Sequence, residues 1–261
     1  MVTGNGAGAA GVQDVVDIHI ETEVPPLELV GVHAAYGGIE VLHGIDLAVR
    51  GGEVVALLGA NGAGKSTTVK VAAGVLRPTA GAVRVAGHDV TGVPSHELAR
   101  IGVCTIPEGR GVFANLTVRE NLWMATQVAA VTGLAAVEAT AFERFPQLAD
   151  RRTQMAGTLS GGEQQMLAMS RALITDPAVL LLDELSMGLA PIVVQQLYEI
   201  VGQVASEGIS ILVVEQFAQA VLGIADRAAV MVNGEITRVG TPAELQSELS
   251  QAYLGGARST P

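Results

Sequence analysis

Aromatic side chains make up only 3% of the 261 residues, although 49% of the chain is hydrophobic. The interior must therefore be packed by Val, Leu, Ile and Ala, a composition that suits a parallel sheet covered by helices. A single cysteine, Cys104, excludes an internal disulfide, and His19, His33, His43, His88 and His96 lack metal-ligand spacing. A reducing cytosol is the expected compartment. Basic charge is scarce as well: 15 Lys and Arg against 26 Asp and Glu leave a net charge of -11, which opposes a broad grip on nucleic acid or an anionic membrane. Any anion site must be local.

No secretory signal is expected, because residues 1–26 contain no Lys or Arg and carry four acidic side chains. They are expected to form a disordered extension ahead of a domain spanning 27–261. The most membrane-like stretch, Leu122 to Phe142, is interrupted by Thr126, Gln127, Thr132, Gly133, Glu138 and Thr140, so a packed or partner-facing helix is expected. Trp123 is expected to pack within it, with contact to a partner as the alternative. Asn115-Leu116-Thr117 has the form of a glycosylation acceptor, but Thr117 with Glu120 reads better as a capping box.

Alternating apolar and polar residues at Leu27 to Val32 and Ile45 to Val49 predict antiparallel strands, and the continuous apolar run Val54 to Leu58 predicts a strand covered on both faces. A helix over about Lys65 to Ala73 and a strand at Ala82 to Ala86 follow. From about Thr91 to Leu159 helix signals dominate, predicting a helical subdomain inserted into the α/β core, although Cys104 reads as a small strand residue. The α/β rhythm then resumes with a helix from Ser160 to about Ile174 and a strand at Val179 to Leu182. After a helix opening at Pro191 come a strand at Ile211 to Val214, a helix through Ala225 and a hairpin turned at Asn233-Gly234.

Gly59-Ala60-Asn61-Gly62-Ala63-Gly64-Lys65-Ser66-Thr67 sits between a buried strand and a helix, the setting of a phosphate-binding loop. Its glycines let backbone N–H groups converge on phosphate, and the helix adds its positive end. Lys65 is expected to reach the β and γ phosphates of ATP and Ser66 to ligate Mg²⁺. Val179 to Leu182 ends in Asp183-Glu184, two carboxylates just past a buried strand, where ligands bind in open α/β sheets. Asp183 is expected to hold Mg²⁺ and Glu184 to polarise the attacking water. In Leu159-Ser160-Gly161-Gly162-Glu163-Gln164-Gln165, Ser160 and Glu163 have capping-box spacing, yet two glycines in the first turn each cost about 1 kcal/mol of helix propensity relative to Ala. Bare N–H groups for a second anion explain them better.

Together these motifs resemble the nucleotide-binding subunit of an ABC transporter, from about Leu27 to Gly256. The resemblance implies a P-loop NTPase (RecA-like) core with an antiparallel β-subdomain and the inserted helical subdomain at about 91–159. It makes Leu159 to Gln165 the signature motif, in which Ser160, Gly161 and Gly162 bind the γ phosphate held by an opposite subunit. A dimer sandwiching two ATP molecules follows, with a related or identical second ATPase subunit, separate permease subunits, and indirectly a solute-binding protein. The resemblance also places Tyr36 against adenine. Three segments depart from the commonest pattern: Glu108, in Pro107-Glu108-Gly109-Arg110, replaces Gln near Mg²⁺ or the water; Gln216 replaces the switch His; Leu185 and Ala190 replace Pro and Asp in the loop beyond Glu184. Those segments, with Ala252 to Gly256, resemble the second ATPase subunit of branched-chain amino-acid importers, working at the cytoplasmic membrane face. Urea or short-amide importers have similar subunits. The rival classes are a soluble ABC-type ATPase acting outside transport, which acidity and the lack of a second ATPase unit or zinc modules oppose, and a nucleotide-binding regulator, which Glu184 opposes.

Overall fold

The computed structural model describes residues 24–109, 111–126, 133–216 and 218–246. Most of the proposed N-terminal extension, His19, Arg110, Phe217 and Ala252 to Gly256 therefore lie outside the described residues. The chain runs through β1 (Leu27–Tyr36), β2 (Ile39–Val49), β3 (Val54–Leu58), α1 (Lys65–Ala72), β4 (Ala80–Val85), β5 (His88–Asp89), α2 (Ser95–Arg100) and β6 (Val103–Ile106). It continues through α3 (Val118–Ala125), α4 (Leu134–Arg144), α5 (Pro146–Ala149), α6 (Gly161–Leu173), β7 (Val179–Asp183), α7 (Pro191–Ser206), β8 (Ser210–Glu215), α8 (Ala218–Leu222), β9 (Arg227–Val232) and β10 (Glu235–Gly240).

Two sheets form the frame. One is antiparallel, in the order β2-β1-β4-β5; the other is ordered β10-β9-β3-β8-β7-β6, with β9, β3, β8, β7 and β6 parallel and β10 antiparallel to β9. The buried strands alternate strictly between two cores, as a period of two residues requires. Val54, Ala56 and Leu58 join Leu180, Leu182, Ile211 and Val213 under α6 and α7, whereas Val55 and Leu57 join Val179, Leu181, Leu212 and Val214 against α1 and the antiparallel sheet. α1 is thus packed between the sheets, which fixes the direction of its N-terminus.

Both expected capping boxes are present. Glu120 N–H donates to Thr117 Oγ1 at 3.2 Å while Thr117 N–H donates to Glu120 Oε2 at 2.7 Å. At α6, Glu163 N–H donates to Ser160 Oγ at 3.4 Å and Ser160 N–H to Glu163 Oε2 at 2.8 Å.

Three expectations need correction. Val103–Ile106, within the segment expected to be helical, pairs with β7 as the edge of the core sheet, so the helices inserted into that core begin only at α3. Cys104 is the strand residue it was expected to be, but four residues on an edge carry too short a pattern to mark the whole strand against the helix signals around them. The helix expected to run through Ala225 ends at Leu222, before Gly223. Trp123 is 50% exposed rather than packed, because α3 buries Val118, Asn121, Leu122 and Ala125 on its other side.

Candidate active site at the carboxyl edge of the parallel sheet

β3, β8 and β7 are consecutive neighbours, with Leu58 paired to Glu215 and Asp183 to Val214. Their carboxyl ends therefore release Gly59, Gln216 and Glu184 from one edge of one sheet. That single fact brings together segments far apart in sequence.

The glycine loop is braced from behind by the β9–β10 turn. Gly234 N–H donates to Ala63 O at 2.8 Å, and His43 N–H donates to Gly234 O at 2.9 Å. A Cβ on Gly59 would stand 2.5 Å from Met231 O, and Gly64, the cap of α1, has φ +109°. Neither position tolerates a side chain without moving backbone. At the helix start, the N–H groups of the first turn, ahead of the Thr68 N–H that donates to Gly64 O, have no intrahelical partner, so they and the positive end of α1 are available to an anion.

Side chains converge on the same place. Lys65, 3% exposed, donates from Nζ to Ala60 O at 3.2 Å and stands 3.5 Å from Glu184 Oε1. Ser66 Oγ donates to Asp183 Oδ1 at 3.0 Å. Burial pushes the Asp183 carboxyl above the usual carboxylate range; the Ser66 hydrogen bond opposes this, nearby Glu184 and Glu108 add to the rise, and Lys70 offsets part of it. Glu184 has φ +50°, a left-handed conformation uncommon outside glycine, and its N–H donates to Val214 O at 2.9 Å. This conformation holds the Glu184 side chain beside the buried Lys65 ammonium.

The family model for ABC transporters matches residues 42–186. The chain is 45% identical over 223 residues to the high-affinity branched-chain amino acid transport ATP-binding protein BraG of Pseudomonas aeruginosa, covering 85% of this chain and 96% of that protein. It is 35% identical to the probable branched-chain amino acid transport ATP-binding protein LivF of Archaeoglobus fulgidus, covering 84% and 93%. Among solved structures, a nucleotide-free ATP-binding cassette from an ABC transporter aligns with TM-score 0.77 and 27% identity, over 87% of this chain and 95% of that one. The chain belongs to the ABC transporter family. It is an ATP-binding subunit that hydrolyses ATP.

The other residues anticipated for this ABC ATPase are less concentrated. Asn61 and Gly62 are exposed on the glycine loop and Thr67 is buried in α1. Tyr36 is exposed at the β1–β2 turn, with Lys70 Nζ 6.0 Å from its ring centroid. Glu108, exposed beyond β6, lies close enough for its charge to act on Asp183. Gln216 is exposed and lines a cavity of about 730 Å³ together with Glu184, Met187, Leu189 and Tyr198.

Ser160, Gly161 and Gly162 are not gathered with the loop. They open α6, which packs on β6, α3, α4, α5 and α7, whereas α1 packs on β1, β2, β7 and β8. Gly162 has a further reason to be glycine: a Cβ there would stand 2.4 Å from Val193 Cγ1. At the other end of α6, Arg171 donates to Gly111 O and lies 4.5 Å over the Phe113 ring, tying that helix to the loop that carries Glu108.

Three residues in or beside the loop beyond Glu184, namely Glu215, Ser186 and Tyr198, had no role assigned from the sequence. Glu215 is buried and accepts from Ser186 N–H at 3.0 Å, Ser186 Oγ at 2.7 Å and the Tyr198 hydroxyl. The usable signal was a carboxylate ending an otherwise apolar strand.

Proposed function

We propose that this chain energises an importer of branched-chain amino acids, working at the cytoplasmic face of the membrane beside separate permease subunits and a second ATPase subunit, with a solute-binding protein delivering the solute. The observation carrying this is 45% identity to a branched-chain amino acid transport ATP-binding protein across nearly its whole length. Among the described residues no helix is long and apolar enough to cross a membrane.

The chemistry is in-line attack of water on the γ phosphate, which asks the protein mainly for positioning and charge neutralisation. The N–H groups of Gly62, Gly64, Lys65, Ser66 and Thr67 cradle the phosphates, with Gly59 and Asn61 shaping the loop, and the Lys65 ammonium neutralises developing charge. Phosphate oxygens compete with Glu184 for Lys65, which leaves the Glu184 carboxylate to take a proton from water. Ser66 Oγ and Asp183 Oδ1, 3.0 Å apart, are hard oxygen donors on one side of the loop and suit Mg²⁺ completed by phosphate and water. When bound, Mg²⁺ supplies charge stabilisation on the phosphate oxygens. Glu108 contributes a further oxygen toward that cation or the water. Gln216 donates a neutral hydrogen bond to a phosphate oxygen, and Tyr36 stacks on adenine.

Ser160, Gly161 and Gly162 face a second subunit's nucleotide, since α6 keeps them apart from this chain's own glycine loop. The groove of about 740 Å³ lined by Val75, Ala99, Cys104, Phe113, Met124 and Arg171, between the core edge and the inserted helices, supports docking of a permease segment. Exposed Val75 and Phe113 on its lining favour an apolar contact.

Deleting this subunit from cells that carry it should abolish saturable uptake of labelled leucine, isoleucine and valine, with restoration by the wild type and not by Glu184→Gln. Normal uptake of all three in the deletion, with loss of urea or amide uptake instead, would refute the solute assignment.

A further inference from the structure

In the loop beyond Glu184, Leu185 is buried in the core and Leu189 is partly packed against it, while the residues between them are lightly packed. Ser186, Met187, Gly188 and Leu189 all line the cavity of about 730 Å³ that Gln216 also lines, and Met187 is 49% exposed. Yet Glu184, at the head of this loop, has φ +50° and must keep its carboxylate beside Lys65. Leu185 anchors the backbone beside it, and polar contacts hold what that anchor does not.

The holding contacts come from β8. Glu184 N–H is tied to Val214 O, and two residues later Ser186 is tied through both its N–H and its hydroxyl to the next β8 residue, Glu215. The Tyr198 hydroxyl, from α7, donates to the same carboxylate. Burial, reinforced by the adjacent Glu215 charge, raises the Tyr198 phenol far above its ordinary range, so it remains a donor. On the other flank, Gln165 Nε2 of α6 donates to Leu185 O at 3.4 Å. Glu215 itself is 1% exposed. Burying a carboxylate costs more than burying a neutral acceptor, and that cost is met here by three donors on one side chain. An apolar residue would serve stability as well or better, so the carboxylate points to positioning.

We propose that Glu215 is a positioning residue for hydrolysis: through Ser186 it fixes the loop that aims Glu184, and through the chain it joins that loop to Gln216, its immediate neighbour. This rests on Glu184 acting as the water-activating residue. Loosening the clamp leaves the glycine loop, Ser66 and Asp183 in place, so nucleotide affinity is preserved while the reactive alignment is lost.

The test is steady-state ATP hydrolysis by the full-length chain assembled with its partner subunits, with the folded fraction fixed by thermal melting. Glu215→Ala should lower kcat by about tenfold to a hundredfold, the scale of a misplaced catalytic group, with KM for ATP within about twofold. Glu215→Gln should recover most of the rate, because Oε1 still accepts from Ser186 N–H and Tyr198 and the new amide can donate to the Ser186 hydroxyl. Ser186→Ala and Tyr198→Phe, milder changes, should lower kcat by smaller factors in the same pattern. An unchanged kcat in Glu215→Ala, no recovery with Gln, or kcat and affinity falling only with the folded fraction in all four variants would overturn the inference. Glu184→Gln separates the two claims: if it abolishes turnover while Glu215→Ala does not affect it, only the positioning role falls, whereas hydrolysis by Glu184→Gln removes the site assignment itself.

Discussion

At the scale of single residues, the site combines groups that are unfavourable alone. Asp183 is a nearly buried carboxylate whose proton is held more tightly in the folded chain than in the unfolded one. Its contribution to stability is therefore greatest below the unfolded pKa of about 3.9 and declines as pH climbs through the raised folded value. At neutral pH the carboxyl is therefore a net cost to the fold, which a cation bound in the proposed role would relieve. Asp183→Asn keeps an acceptor for Ser66 and removes the charge, so in metal-free buffer at pH 7 it should melt at or above the wild-type temperature, while adding magnesium to ADP should raise the melting temperature further in the wild type than in the variant. Thermal melts with and without chelator check this, and a variant that melts several degrees lower would contradict it.

At the scale of elements, the start of α6 shows one residue meeting two demands. Gly162 presents a bare N–H in the first turn, and it also lets α7 approach through Val193. Gly162→Ala should destabilise the fold by about 1–3 kcal/mol, the usual cost of overpacking, despite the better helix propensity of alanine. Adding Val193→Ala should restore most of that loss, as measured by denaturant unfolding; a Gly162→Ala variant as stable as the wild type would show that the close approach does not constrain the helix. β3 makes the complementary point, because its five residues, Val54–Leu58, are buried on both faces and so carry the glycine loop on a rigid base.

At the scale of the whole molecule, the features written in consecutive residues were legible in the sequence: the glycine loop, the carboxylates ending β7, both capping boxes and the turn at Asn233-Gly234. Each is set by local backbone chemistry. What escaped depends on contacts between distant segments. Only Cys104 of β6 read as strand because the element is short, the pairing of Lys65 with Glu184 requires β8 to lie between β3 and β7, and the clamp of Glu215 on Ser186 and Tyr198 joins a strand end, a loop and a helix. The steric need for Gly162 arises only once α7 is in place. The same long-range order separates the α6 N-terminus from the glycine loop, which is why a second subunit belongs in the account. Within each subunit, the proposed chemistry turns on Glu184 activating the water at a phosphate site built on Lys65, Ser66 and Asp183. The most direct measurement is phosphate release by Glu184→Gln in the assembled complex, alongside ATP binding by calorimetry. Binding close to that of the wild type with turnover reduced by at least about a hundredfold is the predicted result; hydrolysis at the wild-type rate would contradict it.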